Sequence, residues 1–68
     1  MSNEYKEWLR DAAQEYLLNE VYMIKRIEWV TSFNDGYLMI CKHVDHSKGV
    51  YFVWNDEDCG WSYKFIEV

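Results

Sequence analysis

The side chains best suited to chemistry in this 68-residue chain are two cysteines and two histidines. Cys41 and His43 are two residues apart, a spacing that puts both on the same side of a β-strand. If a later turn brought Cys59 alongside them, the three would offer sulfur and nitrogen ligands for a tetrahedral zinc site. A thiol near a histidine is also the arrangement of a cysteine nucleophile or a redox centre. Further ligand-type side chains are Asp45, His46 and Asp58.

The spacing of these residues argues against such a site. Zinc signatures favour closely spaced cysteine pairs, whereas Cys41 and Cys59 are far apart in the chain. The three glycines provide no obvious oxyanion-hole loop, and a domain of this length has little room for a substrate cleft. We therefore expect no metal, no cofactor and no enzymatic activity, and we keep a Cys/His zinc or redox module as a lesser alternative.

The segment 54–61, WNDEDCGW, places three consecutive acids between two tryptophans. Carboxylates are calcium ligands, but the segment lacks the alternation, the central glycine and the terminal glutamate of an EF-hand loop. Acids followed by Gly60 are typical of a solvated hairpin turn, where the charges also discourage edge pairing of apolar strands. The segment is therefore predicted to be a turn flanked by two aromatic side chains of the kind that dominates protein interfaces.

Composition and charge narrow the class of protein. Seven Lys and Arg against twelve Asp and Glu give a net charge of −5 and a pI near 4.8. This balance repels phosphate backbones and anionic membranes, so we expect no direct nucleic-acid binding and no membrane binding. The sequence shows neither a signal-peptide pattern nor an apolar stretch long enough to span a bilayer, and we expect a cytoplasmic protein with reduced cysteines.

An amphipathic helix is predicted for residues 2–19. Its apolar residues recur at three-and-four spacing and form one stripe: Tyr5, Trp8, Leu9, Ala12, Ala13, Tyr16 and Leu17. At 100° per residue, four acids fall within an arc of about 80° on the opposite side: Glu4, Glu7, Asp11 and Glu15.

Four β-strands are predicted after the helix, at residues 22–32, 37–44, 50–55 and 61–67. Turn clusters separate them, and Asn34-Asp35-Gly36 is a short-hairpin signal because these residues tolerate positive φ. In the first strand Ile27, Trp29 and Thr31 alternate with Arg26, Glu28 and Val30, although a helical period persists in the same stretch. The predicted fold is a single α+β domain over residues 1–68, with the N-terminal helix packed on a three- to four-stranded antiparallel β-meander.

One helix covers only one side of a four-stranded sheet, so a side rich in Tyr and Trp is predicted to remain near water. Carboxylates around an aromatic surface favour a basic partner and speed its encounter. We therefore predict an inhibitor or adaptor that docks on the basic, nucleic-acid-handling surface of a larger protein or nucleoprotein complex. The predicted contact residues are Tyr51, Trp54, Asp56, Glu57, Asp58, Trp61, Glu4, Glu7, Asp11 and Glu15.

In size, acidity and lack of a catalytic motif, the chain is similar to small phage-encoded antagonists of host defence, such as anti-CRISPR and anti-restriction proteins. This is a resemblance of general character, and it assigns no role to any single residue. An alternative of a different class is a structural domain that forms a homodimer by packing its uncovered sheet side on a second copy.

Overall fold

The computed structural model describes residues 2–67 and the side chains of residues 7–66. Helix α1 spans Ser2–Glu20 and is followed by strands β1 (Ile24–Phe33), β2 (Gly36–His43), β3 (Lys48–Asp56) and β4 (Gly60–Glu67). The strands pair antiparallel in the order β1-β2-β3-β4. The predicted α+β fold, one N-terminal helix on an antiparallel meander, is confirmed, and the sheet has four strands.

The helix ends at Glu20, one residue after the predicted end, and the first strand starts at Ile24, two residues after its predicted start. The amide of Val21 donates to the carbonyl of Leu17 at 3.0 Å, and the amide of Ile24 donates to the carbonyl of Val21 at 3.2 Å. These bonds close a short turn in which Tyr22 is 90% exposed. The chain thus reverses onto the sheet within three residues.

Two faces of the sheet follow from the strand register. The side that α1 packs against is called the covered face, and its described members are Ile24, Ile27, Val30, Tyr37, Met39, Cys41, His43, Tyr51, Val53, Trp61, Tyr63 and Phe65. The other side is called the uncovered face, and it carries Arg26, Trp29, Phe33, Leu38, Ile40, Lys42, Lys48, Val50, Phe52, Trp54 and Lys64. In β2 and β3 the covered side is the more deeply buried, which is the period expected of half-covered strands.

Two irregularities in β1 explain why its sequence mixed a helical and a strand period. The pairing with β2 shifts between Ile24 and Arg26 and again between Ile27 and Trp29. Each bulge inserts an extra residue, so Ile24, Ile27 and Val30, three apart in sequence, all face the helix. The simple alternation expected at Ile27 and Trp29 is therefore wrong, because the bulge puts these two residues on opposite faces.

The core lies between α1 and the covered face. Ala13 and Leu17 are completely buried and pack with Met39, Cys41 and Val53, which are also completely buried. Within residues 7–66, only part of the predicted apolar stripe of the helix is buried, namely Ala13 and Leu17. Leu17 supplies the largest helix side chain in this core, so the docking of the helix depends mainly on it.

The prediction that Trp8 belongs to the apolar stripe facing the sheet is wrong, because its side chain is 64% exposed. At 100° per residue it lies about 160° round the helix from the midpoint of Ala13 and Leu17. Its side chain therefore points away from the sheet. It projects instead from the side of the helix that carries the acids.

We expect Leu17→Ala to lower the free energy of unfolding by about 2–5 kcal/mol, because it leaves a cavity under the helix. The matched control is Leu18→Ala at the neighbouring position, whose side chain is 42% exposed and whose loss should cost well under that. Urea denaturation followed by tryptophan fluorescence measures both. Equal losses in the two variants would contradict the packing described.

Candidate functional site

The cysteines and histidines do not assemble into a metal or redox centre. Cys41 and His43 share the covered face, as their spacing predicted. Cys59, however, lies in the β3–β4 turn, at the end of the sheet opposite the β2–β3 turn that follows His43. Among the described residues no three His, Cys, Asp or Glu side chains are placed to hold one ion, and both cysteines are free. The geometry that the zinc alternative requires is therefore not formed.

His43 instead belongs to a hydrogen-bonded network that ties the β2–β3 turn to the core. The hydroxyl of Ser47 donates to the Oδ1 atom of Asp45 at 2.6 Å, and Ser47 Oγ lies 2.9 Å from His43 Nδ1. Because the single Ser47 proton goes to Asp45, His43 Nδ1–H donates to Ser47. The other ring nitrogen lies 2.8 Å from the hydroxyl of Tyr51, from which a neutral imidazole accepts. Both ring nitrogens are thus satisfied, and the network serves stability.

Asp45 holds the outer end of this network. The side-chain and backbone hydrogen bonds from Ser47 lower the pKa of its carboxyl. A folded-state pKa below the unfolded value means that the carboxylate stabilises the fold above the unfolded pKa, near 3.9. That contribution is lost as the pH falls through the folded pKa.

We therefore expect wild type to be more stable than Asp45→Asn at pH 7, and the difference to shrink as the pH falls below about 4. Denaturation curves at pH 7 and in acid measure it. The same substitution made beside Ser47→Ala is the control: only the backbone amide of Ser47 then donates to Asp45, so the pH-dependent difference should become smaller. A difference that is the same at both pH values would show that Asp45 acts without its charge.

Cys41 is completely buried, and burial, helped by the negative charge of Glu28, raises the pKa of its thiol to about 11. Cys59 is exposed in its turn. Because the thiolate is the reactive form, a buried thiol with a raised pKa is inert.

Iodoacetamide should accordingly alkylate Cys59 in the folded protein and leave Cys41 unmodified until denaturant is added. Peptide mass spectrometry after a timed reaction measures the two sites, and Cys59→Ser provides a background in which only Cys41 is available. Rapid labelling of Cys41 under native conditions would mean that the sheet is not covered there.

The acids of α1 form a surface of their own, called the helix ridge, which consists of Glu7, Asp11 and Glu15 with Trp8 among them. All four side chains are exposed. Asp11 and Glu15 lie within about 60° of Trp8 round the helix axis. None of the three acids ion-pairs with another side chain of residues 7–66. Glu4 is in the same helix, but its side chain lies outside the described residues.

A second acidic feature, called the acidic end, consists of Asp35, Asp56, Glu57 and Asp58. In a four-stranded meander the β1–β2 and β3–β4 turns fall at the same end of the sheet. Asn34 and Asp35 have positive φ of 45° and 64°, as a tight hairpin turn requires. In the other turn, Asp56 Oδ1 accepts from the amide of Asp58 at 2.8 Å. The acids of WNDEDCGW are therefore a hairpin turn, as predicted.

The helix ridge and the acidic end are neighbours. Leu9, one residue from Trp8, lines a groove of about 530 Å³ together with Asn34, Asn55 and Trp61, which border the two turns. The first half of the helix therefore lies over the acidic end. The two predicted acidic features thus lie in one region of the molecule.

The two tryptophans of WNDEDCGW point to opposite faces. Trp54 is on the uncovered face, stacked on Phe52 with ring centroids 5.4 Å apart. Trp61 is on the covered face, stacked on Tyr16 at 6.2 Å. Tyr51, also among the predicted contact residues, is only 5% exposed and holds His43, so we leave it out of the proposed contacts.

Sequence reasoning missed the exposure of several aromatic residues, among them Trp8, Trp29 and Phe33. Trp29 and Phe33 each expose about half of their surface on the uncovered face, at 50% and 49%. The signal for Trp8 was present in the sequence, because it precedes Asp11 by three residues and Glu15 by seven, the spacing of one helix side. The outward direction of Trp29 could not be predicted from simple alternation, because the bulges of β1 change which residues face outward.

No family model, curated protein or solved structure matches the chain. No helix of the described residues combines the length and the apolarity needed to cross a membrane.

Proposed function

We propose that the protein is a small acidic inhibitor or adaptor that docks on the basic, nucleic-acid-handling surface of a larger protein or nucleoprotein complex. In this proposal it acts in the cytoplasm and without catalysis, in the manner of phage-encoded anti-CRISPR or anti-restriction proteins. The partner would meet the helix ridge first and the acidic end beside it.

The observation that carries the proposal is the exposure of Trp8 among the carboxylates of the helix ridge. Ion pairs at an exposed surface contribute only about 0.2–1 kcal/mol each, so acids alone give weak binding. A tryptophan that becomes buried at an interface commonly contributes more than about 2 kcal/mol. An exposed tryptophan with acids on the same side of the helix thus combines an affinity anchor with charge selectivity.

The distribution of charge supports the same partner class. The acidic end brings four carboxylates into two adjacent turns, next to a helix half that bears Glu7 and Asp11. Such a field speeds encounter with a basic surface and repels phosphate. Lysine and arginine sites built for a nucleic-acid backbone are the natural counterpart of this arrangement.

Self-association is the second candidate function, and the uncovered face favours it. Trp29 and Phe33 are each about half exposed on this face. Ile66, also about half exposed, lines a groove together with Phe33 and Phe52. Contiguous apolar surface of this kind on a small domain marks an interaction site. It lies on the side of the sheet opposite the helix, so the two functions do not compete for the helix ridge.

To test the first function, the tagged protein is used to capture partners from a bacterial host lysate, with and without added DNA. We expect capture of a basic nucleic-acid-binding protein, and we expect added DNA to displace it. Neutralising the ridge with Glu7→Gln, Asp11→Asn and Glu15→Gln should weaken capture by roughly tenfold, as should Trp8→Ala.

The matched control for Trp8→Ala is Tyr22→Ala, because Tyr22 is the more exposed aromatic residue and lies outside the helix ridge. Its removal should leave capture unchanged. Circular dichroism confirms that each variant is folded. Equal capture by wild type and by the neutralised ridge, indifferent to DNA, would refute acidic mimicry.

A further inference from the structure

Three cations form one row across the uncovered face, called the basic row. Arg26 of β1 is directly opposite Lys42 of β2, and Lys42 is directly opposite Lys48 of β3. Like charges in directly opposed positions destabilise a sheet. Glu28 compensates part of this charge, with oxygens 3.1 Å from Arg26 and 3.6 Å from Lys48. One carboxylate against three cations leaves the row with an excess of positive charge. No other acidic side chain of residues 7–66 forms an ion pair with it.

The basic row and the acidic end lie at opposite ends of the same face. The row is at the first residue of β3, Lys48, and Asp56 is the last residue of that strand. Between them run three cross-strand rows that are mostly apolar. In order from the basic row, these are Trp29, Ile40 and Val50; then Thr31, Leu38, Phe52 and Lys64; then Phe33, Gly36, Trp54 and Ser62.

We infer that the uncovered face binds a second copy of this chain, sheet against sheet, with the strands of the two copies running in opposite directions. The two-fold axis lies in the interface, perpendicular to the strands, and passes near the level of Phe52. Lys48 of each copy then faces Asp56 of the other. Arg26 and Lys42 face the turn that contains Asp35.

Charge complementarity selects this arrangement. A two-fold axis parallel to the strands would instead bring the acidic end of one copy onto the acidic end of the other, and the basic row onto the basic row. Such contacts between like charges oppose association and select against that geometry. The perpendicular axis brings opposite charges together at both ends and apolar side chains together at the centre. Its like-charged contact is between the Lys64 side chains of the two copies, which lie on the edge strand β4 at the level of the axis.

The size of the face sets the expected strength of the dimer. Four strands about 4.8 Å apart and eight residues of about 3.3 Å give a face of roughly 19 by 26 Å. Its projected area of roughly 500 Å² is below the 800 Å² per partner of a typical specific interface. The dimer should therefore dissociate in the micromolar range, so the oligomeric state changes with protein concentration.

A second copy fits the face better than single-stranded nucleic acid does. Aromatic rings near cations are the elements of a base-stacking platform, and the basic row could hold a phosphate. The acidic end of the same face would repel the rest of the strand, as would the net charge of −5. A second copy instead offers carboxylates to the basic row and cations to the acidic end.

This inference depends on the self-association proposed above and adds its orientation, so the test separates the two. Sedimentation equilibrium from about 1 to about 500 μM tests self-association itself, and a monomer throughout this range would overturn both ideas. The orientation is tested by disulfide trapping in a Cys59→Ser background. Lys48→Cys protein and isotope-labelled Asp56→Cys protein are mixed and oxidised with diamide.

We expect the mixed Lys48→Cys to Asp56→Cys disulfide to form at least about tenfold faster than either symmetric disulfide, because only the mixed pair is adjacent across the proposed axis. Cys41 is buried and does not interfere. Faster symmetric disulfides would overturn the orientation while leaving self-association intact.

Charge reversal provides an independent measurement without cysteines. Lys42→Glu with Lys48→Glu should raise the dimer dissociation constant at least about tenfold, and so should Asp56→Lys with Asp58→Lys. Mixing these two proteins should restore association. Wild-type binding of a fluorescent single-stranded oligonucleotide, abolished by Lys42→Glu with Lys48→Glu and accompanied by a monomer, would overturn the proposal in favour of a stacking platform.

Discussion

The packing of a single helix on one face of a four-stranded sheet is the constraint on which the rest of this molecule depends. Leu17 and Ala13 fill the space over Met39, Cys41 and Val53, and the small domain has no second layer in the described residues to place on the other side. Burial of one face therefore implies exposure of the other. The exposure of the apolar side chains on the uncovered face is a consequence of this architecture. We infer that these side chains take part in binding.

The meander topology sorts the charges that the sequence distributes along the chain. Hairpin turns alternate between the two ends of the sheet, so Asp35 and the acids of residues 56–58 meet at one end. The cations that begin β3 and end β2 meet at the other. A chain that is acidic overall thus presents a basic row on one face and carboxylates on the helix ridge. The net charge alone would have described only the latter.

The buried polar groups illustrate a related point about function. His43 and Cys41 are the residues whose types most suggest chemistry, yet both are used internally. Burial makes the thiol of Cys41 inert by raising its pKa, and the imidazole bridges the turn to Tyr51. A reactive residue type is informative only where the fold leaves it accessible.

The sequence predicted the fold well because its signals are local. Helical spacing from Leu9 to Leu17 and the Asn34-Asp35-Gly36 turn each depend on neighbouring residues, and both appear where expected. The misplaced features depend on register or on rotation about an axis. The bulges of β1 hide the outward direction of Trp29, and the helix docks through Ala13 and Leu17, which leaves Trp8 outside.

The same distinction applies to the candidate site. Acidic residues at helical spacing could be recognised as a ridge, and WNDEDCGW as a turn. The basic row could not be found, because Arg26, Lys42 and Lys48 are adjacent only after three strands are paired in one register. The burial of Tyr51 also required the pairing to be known, since it depends on its position between His43 and Phe65.

Hydroxyl-radical footprinting of the unmodified chain at low micromolar concentration tests the central claim, that α1 buries the centre of one sheet face and leaves the other face open, most directly. The account predicts rapid oxidation of Trp29 and Phe33 and strong protection of Met39 and Tyr51, despite the high intrinsic reactivity of methionine. Oxidation of Met39 as fast as that of Trp29 would contradict it, because the helix would then not cover the sheet as described.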